Sequence, residues 1–211
     1  MSRHELQFAH TNEAIAFNLR RFGVPLDKWG KGGAKTIDHL AKEIHDGETV
    51  LVANPAENRI ERHVSTLSIG VHYFDAINGD YYTLREEKQV FSDGRERSRK
   101  KHMTGSLGEK LIRGEDVEIA VERALFEELG IHGDVESYDS LSKPIHEERM
   151  SNSYPGLFSV YEVYGRWVRL LPHQFNPEGY IEAQRGLTTY FEWEKKTRFP
   201  KDPFMLSKNL K

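Results

Sequence analysis

The chain has no cysteine in its 211 residues. That absence excludes disulfides, thiolate metal sites and a cysteine nucleophile together. Nowhere do about 18 apolar residues run in succession, and the opening MSRHELQFAHTNEA lacks the roughly 7–15-residue apolar stretch of a secretion signal. No membrane role is therefore expected, and the cytoplasm is the expected location. There is no excess of positive charge either: 30 Lys and Arg stand against 33 Asp and Glu, a formal net charge of -3. Nucleic acid is not a favoured partner on that balance, although a local basic patch can still act on phosphates. Internal repeats and low-complexity segments are absent too. What is present is 37% hydrophobic residues, 11% aromatic and 30% charged, enough for a packed core under a well-solvated surface. The expected organisation is a helical N-terminal extension over 1–47, one principal domain over 48–200 and a C-terminal tail over 201–211, in which Phe204 and Leu206 either dock or hang free.

The apolar spacing predicts the elements in turn. Ile15, Leu19 and Phe22 form a helical stripe between a Thr11 or Asn12 cap and Gly23, and Ile37, Leu40, Ala41 and Ile44 form a second, ended by Gly47. Strands are expected over 49–54, over 60–76 and, after an Asn78-Gly79 hairpin, over 80–91. Further strands are expected over 134–140, over 156–171 with an interruption at Gly165, and over 187–193. Strands on both sides of one long helix give an α+β pattern.

Two stretches carry local positive charge. Gly30, Gly32 and Gly33, with Lys31 and Lys35, precede the second helix, where free N–H groups favour an anion, but the P-loop pattern is not met and a plain connector is the simpler reading. Arg95, Arg97, Arg99, Lys100 and Lys101 crowd a loop opposed only by Glu96. That loop is read as a solvated surface segment or as a grip on substrate phosphates.

The stretch with most chemistry is Gly108 to Ile131, GEKLIRGEDVEIAVERALFEELGI. At about 100° per residue from Ala124, the residues Val117, Ala120, Val121 and Ala124 share one stripe, with Glu128 at about 40° and Glu127 at about -60°. Two carboxylates thus continue the inward side at the negative end of the helix dipole, which requires a cation, either a basic side chain or a metal. Oxygen-only ligands suit Mg²⁺ or Mn²⁺, and such an ion can activate water against a phosphoanhydride. The competing reading pairs Arg123 with Glu127 at i,i+4 and leaves Glu128 half exposed. Glu118 and Glu122 point outward.

This stretch resembles the Nudix signature, G-x5-E-x7-R-E-U-x-E-E-x-G-U with U aliphatic. Glu115, Arg123, Leu125, Glu127, Glu128, Gly130 and Ile131 meet seven of its nine defined positions. Glu109 replaces the first glycine, beside Gly108, and Ala124 replaces the Glu that follows the Arg. The resemblance implies an α/β/α sandwich with a mixed β-sheet and a central loop-helix-loop, and cleavage of a nucleoside diphosphate linked to another moiety. It implies Glu127 and Glu128 as metal ligands for Mg²⁺ or Mn²⁺, Arg123 as their orienting residue and Glu115 as a support of the loop. Lys110, Arg97 and Arg99 are the candidate substrate-binding cations. Glu109, Glu178 or Glu182 are candidates to replace the acid missing at Ala124, and the choice among them stays open. The alternative function is a Nudix-like nucleotide-binding module without turnover.

Other residues promise less. His146-Glu147-Glu148 is not H-E-x-x-H, because Met150 stands at the last place, and it reads as a surface turn. Ser151, Ser153 and Ser159 have no G-x-S-x-G context. Tyr154, Phe158, Trp167, Tyr190 and Trp193 are expected in the core, with one or two free to stack on a base.

Overall fold

The computed structural model describes residues 4–6, 11–98, 105–141 and 143–196. In chain order the described elements are β1 (His4–Glu5), α1 (Asn12–Arg21), α2 (Ile37–His45), β2 (Val50–Asn54), β3 (Arg59–Asp75), β4 (Asp80–Phe91), β5 (Glu96–Arg97), β6 (Leu107–Lys110), α3 (Val117–Leu129), β7 (Glu136–Asp139), β8 (Ile145–Met150), β9 (Phe158–Arg169), β10 (Tyr180–Gln184) and β11 (Leu187–Lys196). The class is α+β, as the order of apolar patterns predicts. The chain divides into two compact units, one of Met1–Thr66, Lys110–Glu115 and Ile145–Val163, the other of Leu67–Glu109, Asp116–Pro144 and Tyr164–Lys211.

In the first unit the two amphipathic helices bury their stripes together. Ile15 and Leu19 of α1, Leu40 of α2, Leu51 of β2 and Ile60 of β3 pack with Trp29, Tyr154 and Leu157. Thr11 caps α1 through its hydroxyl, which accepts from Ala14 N at 3.2 Å. Thr36 caps α2, with His39 Nδ1 accepting in return from Thr36 N at 3.1 Å. Both helices therefore begin where their hydroxyl residues place them. Beneath α2 lies a buried charge cluster. Glu43 receives Lys35 at 2.6 Å, Arg62 at 2.7 Å and Lys110 at 3.1 Å, while Lys110 also pairs with Glu48. Burial opposes ionisation of Glu43, but Arg62, Lys35 and Lys110 outweigh it and hold the carboxyl down at about 2.

His146-Glu147-Glu148 departs from the sequence reading. It lies within β8, which pairs antiparallel with β9 from Ile145↔Val163 to Met150↔Phe158. All six β8 residues are exposed, and a strand with no buried face leaves no hydrophobic alternation to read.

In the second unit β3, β4, β11 and β10 are neighbours in that order, each antiparallel to the next. On the other side β9 advances with β3, since Trp167 lies against Gly70 and Leu170 N donates to His72 O at 2.8 Å, so the sheet is mixed. β9 runs unbroken through Gly165. A Cβ there would stand 2.2 Å from Ser140 Oγ, so this glycine permits a close approach and interrupts nothing.

The same sheet carries an irregularity between β4 and β11. The two strands pair as Tyr190↔Lys88 and Phe191↔Glu86, so Glu87 has no opposite residue and forms a bulge. Side chains alternate faces along a strand, and an extra residue reverses the alternation beyond it. Hence Glu86 and Gln89, three positions apart, share a face, opposite Phe191 and Thr189 of β11. All four are buried.

Candidate functional site

α3 is built where the carboxylate-rich stretch predicts it. Asp116 caps its start by accepting from Glu118 N at 2.8 Å, and Gly130 ends it in the left-handed conformation at φ 66. Ala120, Val121, Ala124, Leu125 and Leu129 are buried. The centre of this stripe lies nearer Leu125 than a reckoning from Ala124 suggests. As a result Glu128 is on the inward side, as expected, whereas Glu127 is exposed, its side chain 53% accessible. Phe126 is exposed as well.

Glu128 lies among other carboxylates of the second unit. Burial, together with the negative charges of Glu182, Glu109, Glu86 and Glu127, pushes its carboxyl up to about 8. Two of the three acids considered as replacements at Ala124, Glu109 and Glu182, are thus among its neighbours, and Glu178 is not among those influences. Glu86 is the carboxylate that the sequence reading missed. Its signal is weak: one charged residue within the polar run Arg85-Glu86-Glu87-Lys88-Gln89 of β4, where a bulge that no residue pattern announces decides which face each side chain takes.

Arg123 stands between two of these acids, its Nη1 3.5 Å from Glu109 and 3.5 Å from Glu127. The i,i+4 pair foreseen in the sequence exists, and the same guanidinium also serves Glu109 of β6. The C-terminal turn of α3 and β10 enclose an open pocket of about 450 Å³, lined by Phe126, Glu127, Glu128, Ile181, Glu182 and Gln184. Ala124 is wholly buried, so no carboxylate reaches this pocket from that position without displacing core.

The remaining candidates are dispersed. Glu115 belongs to the first unit, where it accepts from Ile112 N at 2.9 Å. Lys110, also in the first unit, is bound to Glu43 and Glu48. Lys35 likewise faces Glu43. Arg95 pairs with Asp93 at 2.7 Å. Arg97 lies on β5, and its guanidinium donates to Gln89 Oε1 from Nε at 3.1 Å and again from Nη2. Arg99, Lys100, Lys101, Phe204 and Leu206 lie outside the described residues. Tyr154 and Trp167 are buried in their respective units, in keeping with a core role.

Among the described residues no three His, Asp or Glu side chains stand close enough to hold a metal ion as placed. The chemistry of the donor set nonetheless suits a hard divalent cation: carboxylates alone, one of them pushed toward its protonated form by burial and by its neighbours' negative charge. No described helix is long and apolar enough to cross a membrane.

Fold and site together define an α+β chain with a carboxylate-lined pocket at the C-terminal end of one helix. Among solved structures, the chain is similar to a C. elegans Ap4A hydrolase, at 12% identity and TM-score 0.31, over 61% of this chain and 77% of that one. It is also similar to a C. elegans Ap4A hydrolase in a binary complex, at 12% identity and TM-score 0.33 over the same shares. No protein-family model matches the chain, and no curated protein matches it.

Proposed function

We propose that the chain is a Nudix-like, divalent-metal-dependent hydrolase that cleaves a phosphoanhydride bond in a nucleoside diphosphate linked to another moiety, using a modified carboxylate set. The observation that carries the reading is the state of Glu128. A carboxyl raised to about 8 by burial and four neighbouring acids is stored in its protonated form, and a cation entering among them would replace that proton. The residue match from Glu115 to Ile131 supports the same reading independently.

On this reading Glu128, Glu127, Glu109, Glu182 and Glu86 supply the oxygen donors, and Arg123 fixes Glu109 and Glu127 relative to each other. A bound Mg²⁺ or Mn²⁺ would supply charge neutralisation and an activated water. Glu128, the most proton-retentive of the set, is the group suited to hold or release a proton at neutral pH. Phe126 and Ile181, both exposed at the pocket, offer apolar surface to a substrate's non-phosphate part.

Purified protein with Mg²⁺ or Mn²⁺ is expected to release phosphate or a mononucleotide from a member of a panel of dinucleotides, nucleotide sugars and nucleoside triphosphates, and Glu128→Gln to abolish the release. Ala124 favours a second reading, a nucleotide-binding module without turnover, because its buried methyl adds no oxygen to the set. Ligand-induced thermal stabilisation with silence across the whole panel would select that module.

A further inference from the structure

The bulge at Glu87 has a consequence on the neighbouring strand. β5 pairs with β4 at Gln89↔Arg97, β4 with β11 at Thr189↔Gln89, and β11 with β10 at Glu182↔Thr189. Residues directly opposite in antiparallel strands point to the same face. Arg97, Gln89, Thr189 and Glu182 therefore form one cross-strand row, and the bulge puts Glu86 on that face too. Glu182 and Glu86 are two of the acids acting on Glu128. With an unbulged β4, Gln89 and Arg97 would face away from Glu86.

Arg97 is fixed without being neutralised. Its guanidinium is held through Nε and Nη2 by the amide oxygen of Gln89, a side chain only 7% exposed, and lies over the Phe91 ring with its carbon 5.4 Å from the centroid. Among the described residues no carboxylate pairs with it. The contrast with Arg95, tied to Asp93, is direct. A guanidinium steered by a neutral amide keeps its full charge and its remaining N–H donors for a ligand, and its planar fork suits phosphate. Three residues along β4 and one strand across, at about 3.3 Å and 4.8 Å, place the Arg97 backbone about 11 Å from that of Glu86. Both side chains then extend over the same face.

We propose that Arg97 receives a phosphate lying beyond the phosphoanhydride held at the carboxylates, so that the site takes substrates with three or more phosphates in line over those with two. This rests on the hydrolase reading for the position of the cleaved bond, though Arg97 as an anion receptor does not. Gln89 is a positioning residue.

The test titrates inorganic pyrophosphate and tripolyphosphate into the full chain with Mg²⁺, by calorimetry. Phosphorus NMR on the same samples reports whether either probe is cleaved. The wild type should bind tripolyphosphate more tightly than pyrophosphate. Arg97→Ala should weaken tripolyphosphate about tenfold or more and leave pyrophosphate within about twofold, since only the longer chain loses a charge-assisted contact. Arg97→Lys should recover part of the loss, and Gln89→Met should weaken tripolyphosphate alone while leaving the thermal midpoint within a few degrees. Equal binding of the two probes by the wild type, no binding of either, or an Arg97→Ala loss shared by both would overturn the proposal. Length-dependent binding without cleavage of these probes or of the nucleotide panel would leave Arg97 as an anion receptor and remove the hydrolase reading. Cleavage with an indifferent Arg97→Ala would do the reverse.

Discussion

Glu128 makes stability depend on pH in a direction opposite to that of an ordinary paired carboxylate. Its carboxyl ionises near 4.5 in the unfolded chain and at about 8 in the folded one, because burial and the charges of Glu182, Glu109, Glu86 and Glu127 oppose ionisation. Between those values the folded state holds a proton that the unfolded state has lost. The contribution is thus complete below about pH 4.5, declines as pH rises and is gone above about pH 8. At about 1.4 kcal/mol for each pH unit separating the two ionisations, the total is on the order of 5 kcal/mol. Glu128→Gln keeps the shape of the protonated acid without its titration. Denaturant unfolding in EDTA, at intervals from pH 5 to pH 8.5, should show the wild type losing stability relative to Glu128→Gln by about 1 kcal/mol or more per pH unit up to about pH 7.5, with the slope fading above about pH 8. Glu182→Gln in the wild-type background should reduce the slope, since it removes the largest of the neighbouring charges. Parallel curves for wild type and Glu128→Gln across that range would mean that Glu128 keeps no proton the unfolded chain has lost.

Two further outcomes concern other parts of the molecule. Ala124→Glu restores the signature residue at a fully buried site, and the cost of overpacking is expected to lower stability by about 1–3 kcal/mol, read as a reduced denaturant midpoint with an unchanged slope. In the first unit Glu43→Ala leaves Arg62 buried without its anion, and about 3–5 kcal/mol of stability should disappear, whereas a purely surface role would cost under about 1 kcal/mol in the same unfolding assay.

The parts of the chain that read easily were those whose period is imposed by one buried face. α1, α2 and α3 announced themselves by spaced apolar residues, and α1 also by its Thr11 cap, whereas the caps Thr36 and Asp116 emerge from the structure. β8 and β10 did not, because their outward residues carry no alternation, and β9 looked broken at Gly165 because a glycine required by close packing resembles a glycine that ends a strand. The inward turn of Glu128 was legible from helix geometry. The exposure of Glu127 was not, since it depends on Leu125 and Leu129 dominating the stripe. Glu86 and the row from Arg97 to Glu182 were hidden for a different reason: a bulge shifts face assignment by one residue, and only the register between β4 and β11 reveals it.

A metal centred on Glu128 must displace its proton, and that exchange can be counted. Mn²⁺ titrated into the protein by calorimetry at pH 7, in two buffers of different ionisation enthalpy, reports the protons released on binding. With a carboxyl at about 8, the wild type should release close to one proton per Mn²⁺, and Glu128→Gln should bind more weakly and release none from this position. Binding with no proton release, or release unchanged in Glu128→Gln, would contradict a metal site centred on Glu128. So would the absence of any binding at millimolar Mn²⁺.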